Sequence, residues 1–446
     1  MPSQGTIGDR VRGLRLNRRM SQAQLAGPDL SDSYVSLIES GKRTPTPVVA
    51  RLLAERLGCT TEFLLHGIEP RQRIDTELGL RHAELELQHG DPAAAAERFT
   101  EIVKAADEEN AMLTAQARFG RARALEAQGR LGQAVEAFER LRREAAAHPE
   151  RLADLPLTVA LSRCYQRAGD RLRARDLAAS ALAQASRLAI TQGELAVDLA
   201  ASLIETQGEG DSAAVTYVKH VLDVTGTPCV VDRSGEIHAL WQASIAAAAG
   251  EDSALAVRLA DDAIMAGRSG RIARQAAVTA MRWAKLESSP VEEAEALVQA
   301  ATAVFAELPG STSLQGASLV ANAQVRLRAG DPVKGAELAT AALDLLDGSP
   351  VKAEAHLVIA KVTVGLDGDA FAHLDAARDV LADLGRPMYG SDRQTARSWR
   401  ELGDLYGDVG APDQQTAAYR RALEAAGVRS SMAGVMSSAG VSQRDQ

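Results

Sequence analysis

The residue types that carry out catalysis or bind metals occur in this sequence, but they are not arranged for either task. The eight histidines are scattered, and neither a His-Glu-x-x-His nor a Gly-x-Ser-x-Gly pattern is present. A Gly-x-x-x-x-Gly-Lys phosphate loop and a glycine-rich dinucleotide loop are missing as well. His82 and His89 lie seven residues apart on one helix face, but a pair without a third ligand is more typical of surface histidines. We therefore expect no metal, no cofactor and no enzymatic activity.

Residues 20–42 have the spacing of two short helices joined by a tight turn. Ser21 and Ser31 are each placed to cap a helix, because a serine hydroxyl can accept hydrogen bonds from the free N–H groups of a first turn. Gly41 is placed to end the second helix in a left-handed conformation. The apolar residues expected to face inward are Leu25, Ala26, Val35 and Ile38. This pattern predicts a helix-turn-helix, whose second helix would enter the major groove of DNA.

Several short segments between residues 7 and 66 carry a closer resemblance. In order, they are Met20-Ser21-Gln22, Leu25-Ala26, Tyr34-Val35-Ser36, Ile38-Glu39-Ser40-Gly41-Lys42-Arg43-Thr44-Pro45, Leu57-Gly58 and Thr60-Thr61-Glu62-Phe63-Leu64-Leu65. Together they resemble the phage-repressor-like (XRE-type) DNA-binding domain. The resemblance covers about one seventh of the chain and implies a small domain of five helices.

The resemblance also implies which residues would contact DNA. Base edges would be contacted from the exposed face of the second helix by Asp32, Ser33, Ser36 and Leu37. Phosphates would be contacted by Gln22, at the start of the first helix, and by the loop residues Lys42, Arg43 and Thr44. A carboxylate can accept from cytosine N4, whereas cations on a loop position a protein without reading sequence. Two alternatives stay open: Asp32 could serve only the helix dipole, and Leu37 could be an ordinary surface leucine.

Charge divides the chain into a basic head and an acidic body. Residues 1–73 contain 11 Lys or Arg and 7 Asp or Glu, a net charge of +4. Because the whole chain carries −9, the remaining residues carry −13. This division favours contact with a polyanion through one end only, since DNA would repel the acidic body.

Composition predicts a protein made of closely packed helices. Alanine is abundant, and only 3% of the residues are aromatic. No run of 18 apolar residues occurs, and residues 1–5 do not resemble a signal peptide. The cysteines lie far apart without metal-binding spacing: Cys59, Cys164 and Cys229. We therefore expect an all-α, cytoplasmic protein without a membrane segment.

Beyond residue 77, short helix-breaking segments recur every 38 to 42 residues. They are Gly90-Asp91-Pro92, Gly129, Gly169-Asp170, Gly210-Asp211, Gly250-Glu251-Asp252, Ser289-Pro290, Gly330-Asp331-Pro332, Gly368-Asp369 and Gly410-Ala411-Pro412-Asp413. A glycine followed by aspartate suits a corner between two helices, because the glycine can end one helix and the aspartate can cap the next. The pattern predicts a helical hairpin repeated about nine times.

Several of these units resemble the tetratricopeptide repeat. The clearest match comprises Trp399, Leu402, Gly403, Tyr406, Gly410, Tyr419 and Ala422. The period near 40 exceeds the 34 residues of that family, which implies longer helices or loops. The expected domains are a helix-turn-helix domain at 5–66, a linker at 67–76, a tetratricopeptide-like α-solenoid at 77–426 and a disordered tail at 427–446.

An array of helical hairpins offers an extended surface to a peptide or a partner helix. We expect the first helix of each hairpin to line this surface, with the candidate residues Arg118, Arg121, Arg163, Arg282, Asn322, Arg326 and Arg400. Arginine can clamp a carboxylate, and asparagine can pair with a peptide backbone. The alternative is that these residues lie on solvated faces or form internal salt bridges.

The combination of a repressor-type head and tetratricopeptide-like repeats resembles the peptide-sensing, quorum-sensing transcription regulators of Gram-positive bacteria. This resemblance implies double-stranded DNA as a partner, a homodimer formed through the repeat domain, and a peptide or small-molecule effector. An alternative is a scaffold whose repeats recruit a protein partner while the helix-turn-helix serves as an anchor.

Overall fold

The computed structural model describes residues 6–66, 70–105, 111–149, 151–206, 212–226, 231–384 and 393–427. These residues form 22 α-helices and no strand, which confirms the expected all-α fold. Five short helices come first: α1 (Ile7–Asn17), α2 (Gln22–Ala26), α3 (Asp32–Glu39), α4 (Pro47–Arg56) and α5 (Thr61–His66). Within all of these described ranges, no helix has both the length and the apolar character needed to cross a bilayer.

The helices of the repeat region follow in sequence. They are α6 (Pro70–His89), α7 (Pro92–Ala105), α8 (Ala111–Ala127), α9 (Leu131–Ala147), α10 (Asp154–Ala168), α11 (Arg171–Arg187), α12 (Glu194–Thr206), α13 (Ser212–Thr225), α14 (Ser234–Ala249), α15 (Ser253–Ala284), α16 (Val291–Glu307), α17 (Thr312–Arg328), α18 (Pro332–Leu343), α19 (Pro350–Gly365), α20 (Phe371–Asp383), α21 (Arg393–Asp408) and α22 (Pro412–Ala425). The chain divides into two compact units: Met1–Ala153 with Gly235–Ala266, and Asp154–Ser234 with Gly267–Gln446.

The short N-terminal helices begin where their capping residues predict. Ser21, Ser31 and Thr46 each accept a hydrogen bond from the N–H group three residues ahead, at 3.1 to 3.4 Å. Gly41 and Gly58 follow α3 and α4 with φ angles of +70° and +54°, which glycine adopts without steric cost. The five helices bury one core: Val11, Leu25, Ala26, Val35, Ile38, Leu53, Ala54, Leu57 and Leu64.

In the first unit, α6 packs against α7, α8, α14 and the first half of α15. Polar contacts join residues that are far apart in sequence: a ring nitrogen of His82 lies 2.9 Å from the Ser244 hydroxyl, and Arg81 donates to Asp261 at 2.5 Å. The helix α6 begins at Pro70, inside the stretch at 67–76 that we expected to be a linker. The domain boundaries themselves stay a prediction.

In the second unit, hairpins pack against their neighbours through small residues. The tetratricopeptide-like motif of α21 and α22 shows why: a Cβ atom on Gly403 would lie 2.6 Å from the ring of Tyr419. Only glycine lets the two helices approach this closely. Trp399, Leu402 and Tyr406 of the same motif are buried.

The expected α-solenoid of about nine hairpins is confirmed, with one departure. We expected separate helices between the breaks at residues 250–252 and 289–290, but α15 is a single helix of 32 residues. Its first half packs with α14, and its second half packs with α16 and α17. The expected break at Gly210-Asp211 and the tail beyond Gly427 lie outside the described residues.

Gly8 and Gly13 of α1 provide a matched test of the N-terminal packing. A Cβ atom on Gly8 would collide with the carbonyl oxygen of Ile38, whereas one on Gly13 would meet nothing within 4 Å. We expect Gly8→Ala to lower the free energy of opening of α1 and α3 by about 1–3 kcal/mol, and Gly13→Ala to raise it by up to about 1 kcal/mol. Amide hydrogen exchange in the full chain measures both. Equal effects of the two substitutions would contradict this packing.

Candidate nucleic-acid interface

The helix α3 has one buried face and one exposed face. Val35 and Ile38 are fully buried. The four predicted base-contact residues are exposed together on the other side: Asp32, Ser33, Ser36 and Leu37. Leu37 is 38% exposed, although it lies one residue before a core residue, and the carboxylate of Asp32 accepts from the N–H group of Ser33 at 2.8 Å. The structure thus gathers these residues on one surface, and their contact with bases stays a prediction.

Three polar side chains, which we call the α3 clamp, hold this helix in place: Arg15, Gln22 and Glu39. Glu39 accepts two hydrogen bonds from Arg15 of α1, at 2.6 and 3.0 Å, and one from the amide of Gln22 of α2, at 2.9 Å. Arg15 and Glu39 are only 11% and 5% exposed. The amide of Gln22, a predicted phosphate contact, is therefore engaged inside the domain, and its contact with DNA stays a prediction.

The α3 clamp shifts the protonation equilibrium of its carboxyl group. Burial raises the pKa of Glu39, but the hydrogen bonds from Arg15 and Gln22 and the positive charges of Arg15 and Arg12 outweigh burial and hold this pKa below its ordinary value. Glu39 is therefore ionised at neutral pH, so the clamp is a charged pair with an additional amide donor.

The predicted phosphate-binding loop lies directly after α3. Lys42, Arg43 and Thr44 are exposed, and the N–H groups of Lys42 and Arg43 donate to the carbonyl group of Leu37 at 2.9 and 3.2 Å. The guanidinium carbon of Arg43 lies 4.6 Å from the ring centroid of Tyr34, within range of a cation–π interaction. These contacts place a positively charged loop next to the exposed face of α3.

Three other arginines of the domain bind the carboxyl ends of helices. Arg10, which is 7% exposed, donates to the carbonyl groups of Leu64 and Leu65 in α5 at 3.1 and 2.7 Å. Arg18 donates to the carbonyl group after α4 at 3.3 Å, and Arg56 to one in α2 at 3.1 Å. A cation at this end of a helix is favourable. Sequence reasoning missed these roles because the carbonyl partners lie 30 to 55 residues away in the sequence.

Most of the candidate effector-binding residues are paired within the protein. Four of the seven face carboxylates of other helices: Arg118 with Glu144 at 3.0 Å, Arg163 with Asp198 at 3.6 Å, Arg282 with Glu205, and Arg326 with Glu295. Arg121 and Arg400 are exposed. Asn322 is 8% exposed, and its carbonyl oxygen has no hydrogen-bond partner among the described residues. Two pairs lie one turn apart on the same helix, Arg118 and Arg121 on α8 and Asn322 and Arg326 on α17. The role of all seven stays a prediction.

Sequence reasoning missed a carboxylate that joins several first helices of the second unit. Glu354 of α19 accepts from Lys285 at 2.8 Å, from Gln394 of α21 at 2.9 Å and from Gln324 of α17 at 3.4 Å. Burial raises the pKa of Glu354, but the charge and hydrogen bond of Lys285 and the two amides outweigh burial and lower it. The signal was absent from the sequence because the contributing residues lie 30 to 69 positions from Glu354.

No group of three or more potential metal ligands was found within the described ranges. His82 contacts Ser244 instead. His89 also has an interaction of its own. The structure therefore gives no support to a metal site at this pair.

The helix-turn-helix family model matches residues 11–64 of the chain. The N-terminal domain is therefore a helix-turn-helix domain of the XRE type, which confirms the resemblance found in the sequence. No curated protein sequence matches the chain.

Three solved structures that are similar to this chain are the following. PlcR of Bacillus thuringiensis, solved with the peptide PapR7 and DNA, is 14% identical and aligns over 68% of this chain and 94% of that chain, with a TM-score of 0.34. The apo quorum sensor NprR from B. thuringiensis is 11% identical over 94% and 99% of the chains, with a TM-score of 0.44. A Rap protein complexed with Competence and Sporulation Factor is 11% identical over 94% and 96%, with a TM-score of 0.41.

The α3 clamp predicts a pH-dependent stability of the interface. Because the pKa of Glu39 is lowered in the folded domain, its stabilising effect is present above the ordinary glutamate pKa of 4.5 and is lost as the pH falls through the folded value. We expect Glu39→Gln to reduce the free energy of opening of α3 by about 1–3 kcal/mol at pH 7, because it leaves the part-buried Arg15 without a counter-charge, and by progressively less in acid. Hydrogen exchange at Val35 and Ile38 measures this quantity.

The matched control for this prediction is Glu55→Gln, on the exposed side of α4 in the same domain. We expect it to change the opening of α3 by less than about 0.5 kcal/mol. If both variants open α3 equally, the clamp does not hold the helix.

Proposed function

We propose that this chain is a sequence-specific DNA-binding transcriptional regulator whose repeat domain dimerises and binds a peptide or small-molecule effector. The observation that supports DNA binding is the exposed face of α3 beside a cationic loop, inside a domain that matches the helix-turn-helix family model. In this proposal α3 enters the major groove and residues 42–44 lie along the phosphate backbone. The protein acts in the cytoplasm, and it acts by binding, not by catalysis.

The side chains on α3 suggest how bases would be distinguished. The carboxylate of Asp32 can accept a hydrogen bond from cytosine N4, and the methyl groups of Leu37 can contact the methyl group of thymine. The hydroxyl groups of Ser33 and Ser36 can donate or accept, so they restrict the sequence less. The stacking of Arg43 on Tyr34 reduces the freedom of its guanidinium group before a phosphate is bound.

The small size of the reading helix is the reason for proposing a dimer. The helix α3 has eight residues, a length of about 12 Å, and it can reach only a few base pairs. Two copies would read two half-sites separated by one helical turn or more, which restores specificity. An effector controls such a dimer only if it binds one arrangement of the two heads better than the other.

The ion pairs in the repeats constrain the proposed effector. A ligand carboxylate bound by Arg163, Arg282 or Arg326 must take the place of the carboxylate that each one already contacts. Such an exchange gains little unless the ligand makes further contacts. Arg121 and Arg400 are exposed and could contact a ligand without such an exchange.

The proposed DNA contacts predict different effects for phosphate-contact variants and base-contact variants. Selection from a random duplex library supplies a binding sequence for the full-length protein. We expect the double variant Lys42→Ala, Arg43→Ala to weaken all sequences alike and to reduce the salt slope by at most about two. Leu37→Ala or Asp32→Ala should instead change the preference at one base pair by about 1–3 kcal/mol.

The control for both is Arg175→Ala, an exposed arginine of the repeats, which should leave DNA binding unchanged. Binding that shows neither sequence preference nor salt dependence in the parent protein would refute the proposal.

The dimer proposal predicts a two-part footprint. Hydroxyl-radical cleavage of the selected duplex should show two protected segments with centres about 10 base pairs apart or a multiple of that distance. Sedimentation of the full chain should give a dimer. A monomer that protects one short segment would contradict dimerisation, and a stoichiometric protein partner without any effector would favour the scaffold alternative.

A further inference from the structure

The long helix α15 contains an internal position with unusual properties. The boundary between the two compact units falls between Ala266 and Gly267, inside this continuous helix of 32 residues. Gly267 and Gly270 follow within one turn, in the sequence Gly-Arg-Ser-Gly. Glycine weakens a helix interior, because it loses more backbone freedom on folding than any other residue.

The spacing of the repeats predicts a junction between two helices at this position. The first helices of hairpins begin at Glu194, Ser234, Thr312 and Pro350, at intervals of 40, 78 and 38 residues. The middle interval, from Ser234 to Thr312, is twice as long as the others, so the start of one first helix is missing. The midpoint of this interval falls near residue 273. At the comparable positions of the neighbouring repeats the described helix ends and a new one begins: α11 ends at Arg187 before Glu194, and α16 ends at Glu307 before Thr312.

The packing of α15 also changes at this point. Before the glycines, Ala256, Ala260, Ala263 and Ala266 belong to a core cluster with α6 and α14. After the glycines, the helix contributes to different clusters, beginning at Ile272 and Ala273. Arg268 and Ser269 between them are exposed. The turn at 267–270 contributes no apolar side chain to the clusters on either side, although Gly267 itself is buried.

We propose that residues 267–270 are a conformational joint, at which α15 exchanges between the continuous helix and an open form with the two-helix junction that the repeat period predicts. The open form frees the backbone hydrogen bonds of about one turn and relieves the conformational restriction of two glycines. The apolar clusters on either side keep their own packing. A ligand or partner that binds only one of the two forms would shift the exchange between them.

Hydrogen exchange of the full chain tests this joint. We expect the amides of residues 267–274 to exchange at least about tenfold faster than those of 256–263 and 276–283, since a local opening of about 1.4 kcal/mol lower cost gives that factor. The amides around Gly79, a glycine inside α6, should exchange as slowly as their neighbours. Uniform protection along α15 would overturn the proposal.

Two substitutions should shift the exchange between the continuous helix and the open form in opposite directions. A Cβ atom on Gly270 would make only an ordinary contact of 3.8 Å with Leu308, so Gly270→Ala should slow exchange at 267–274 about fivefold through helix propensity. Ser269→Pro, at an exposed position, removes a helix hydrogen bond and favours the open form. Unchanged exchange in Gly270→Ala would overturn the joint.

The matched control for the proline is Arg258→Pro, at an exposed position in the first half of the same helix. There the proline interrupts packed helix, so we expect a clear loss of cooperative thermal unfolding, while Ser269→Pro keeps it with a smaller decrease in melting temperature. Equal decreases in the two variants would show that residues 267–270 have no special freedom.

Discussion

The orientation of α3 depends on one part-buried ion pair, between Arg15 of α1 and Glu39 of α3. Both charges are withdrawn from water, so each is tolerated only because the other is present. The amide of Gln22 adds the start of α2 to the same contact. Three helices thus meet at the end of α3, while apolar packing holds Val35 and Ile38 inward. The opposite face of α3 is exposed.

The loop after α3 is held in place by contacts with that helix. Its backbone N–H groups are held by the carbonyl group of Leu37, and Arg43 stacks on Tyr34 of the same helix. The positive charge of the loop is therefore positioned relative to α3, not only concentrated near it. A phosphate contact made by such a loop would set the register in which α3 meets the bases.

The repeat region is stabilised by a different kind of contact. Alanine and glycine at the helix contacts allow close approach, as at Gly403 and Tyr419, and each hairpin is stabilised by its neighbours. Polar side chains add specific links between first helices, such as those that converge on Glu354. Because these contacts join consecutive units, a ligand that changes one helix can influence the next.

Features with local causes could be predicted from the sequence. The caps at Ser21, Ser31 and Thr46 depend on hydrogen bonds to residues three positions ahead, and the period of the repeats follows from glycine-containing corners. Contacts between distant residues could not be predicted in this way. Arg15 and Glu39 are 24 positions apart, and His82 and Ser244 are 162 apart.

The continuity of α15 illustrates another limit of sequence reasoning. Gly267 and Gly270 lower helix propensity, and the repeat spacing favours a junction there, yet the structure continues as helix. Local propensity is a weak influence of about 1 kcal/mol per residue, so the packing of the flanking segments can outweigh it. Whether the exposed residues of α3 contact bases could not be predicted for a related reason. The fold does not restrict which side chains lie on an exposed face, whereas a binding partner does.

Hydrogen exchange of the full-length protein with and without a selected DNA duplex tests most directly whether α3 and the following loop bind DNA. If α3 and its loop form the interface, binding should slow exchange chiefly at residues 31–44, around the exposed face of α3 and the Lys42 loop. If those residues exchange at the same rate with bound DNA, and protection appears only in the repeat region, then the helix-turn-helix is not the DNA-reading surface and the central claim is wrong.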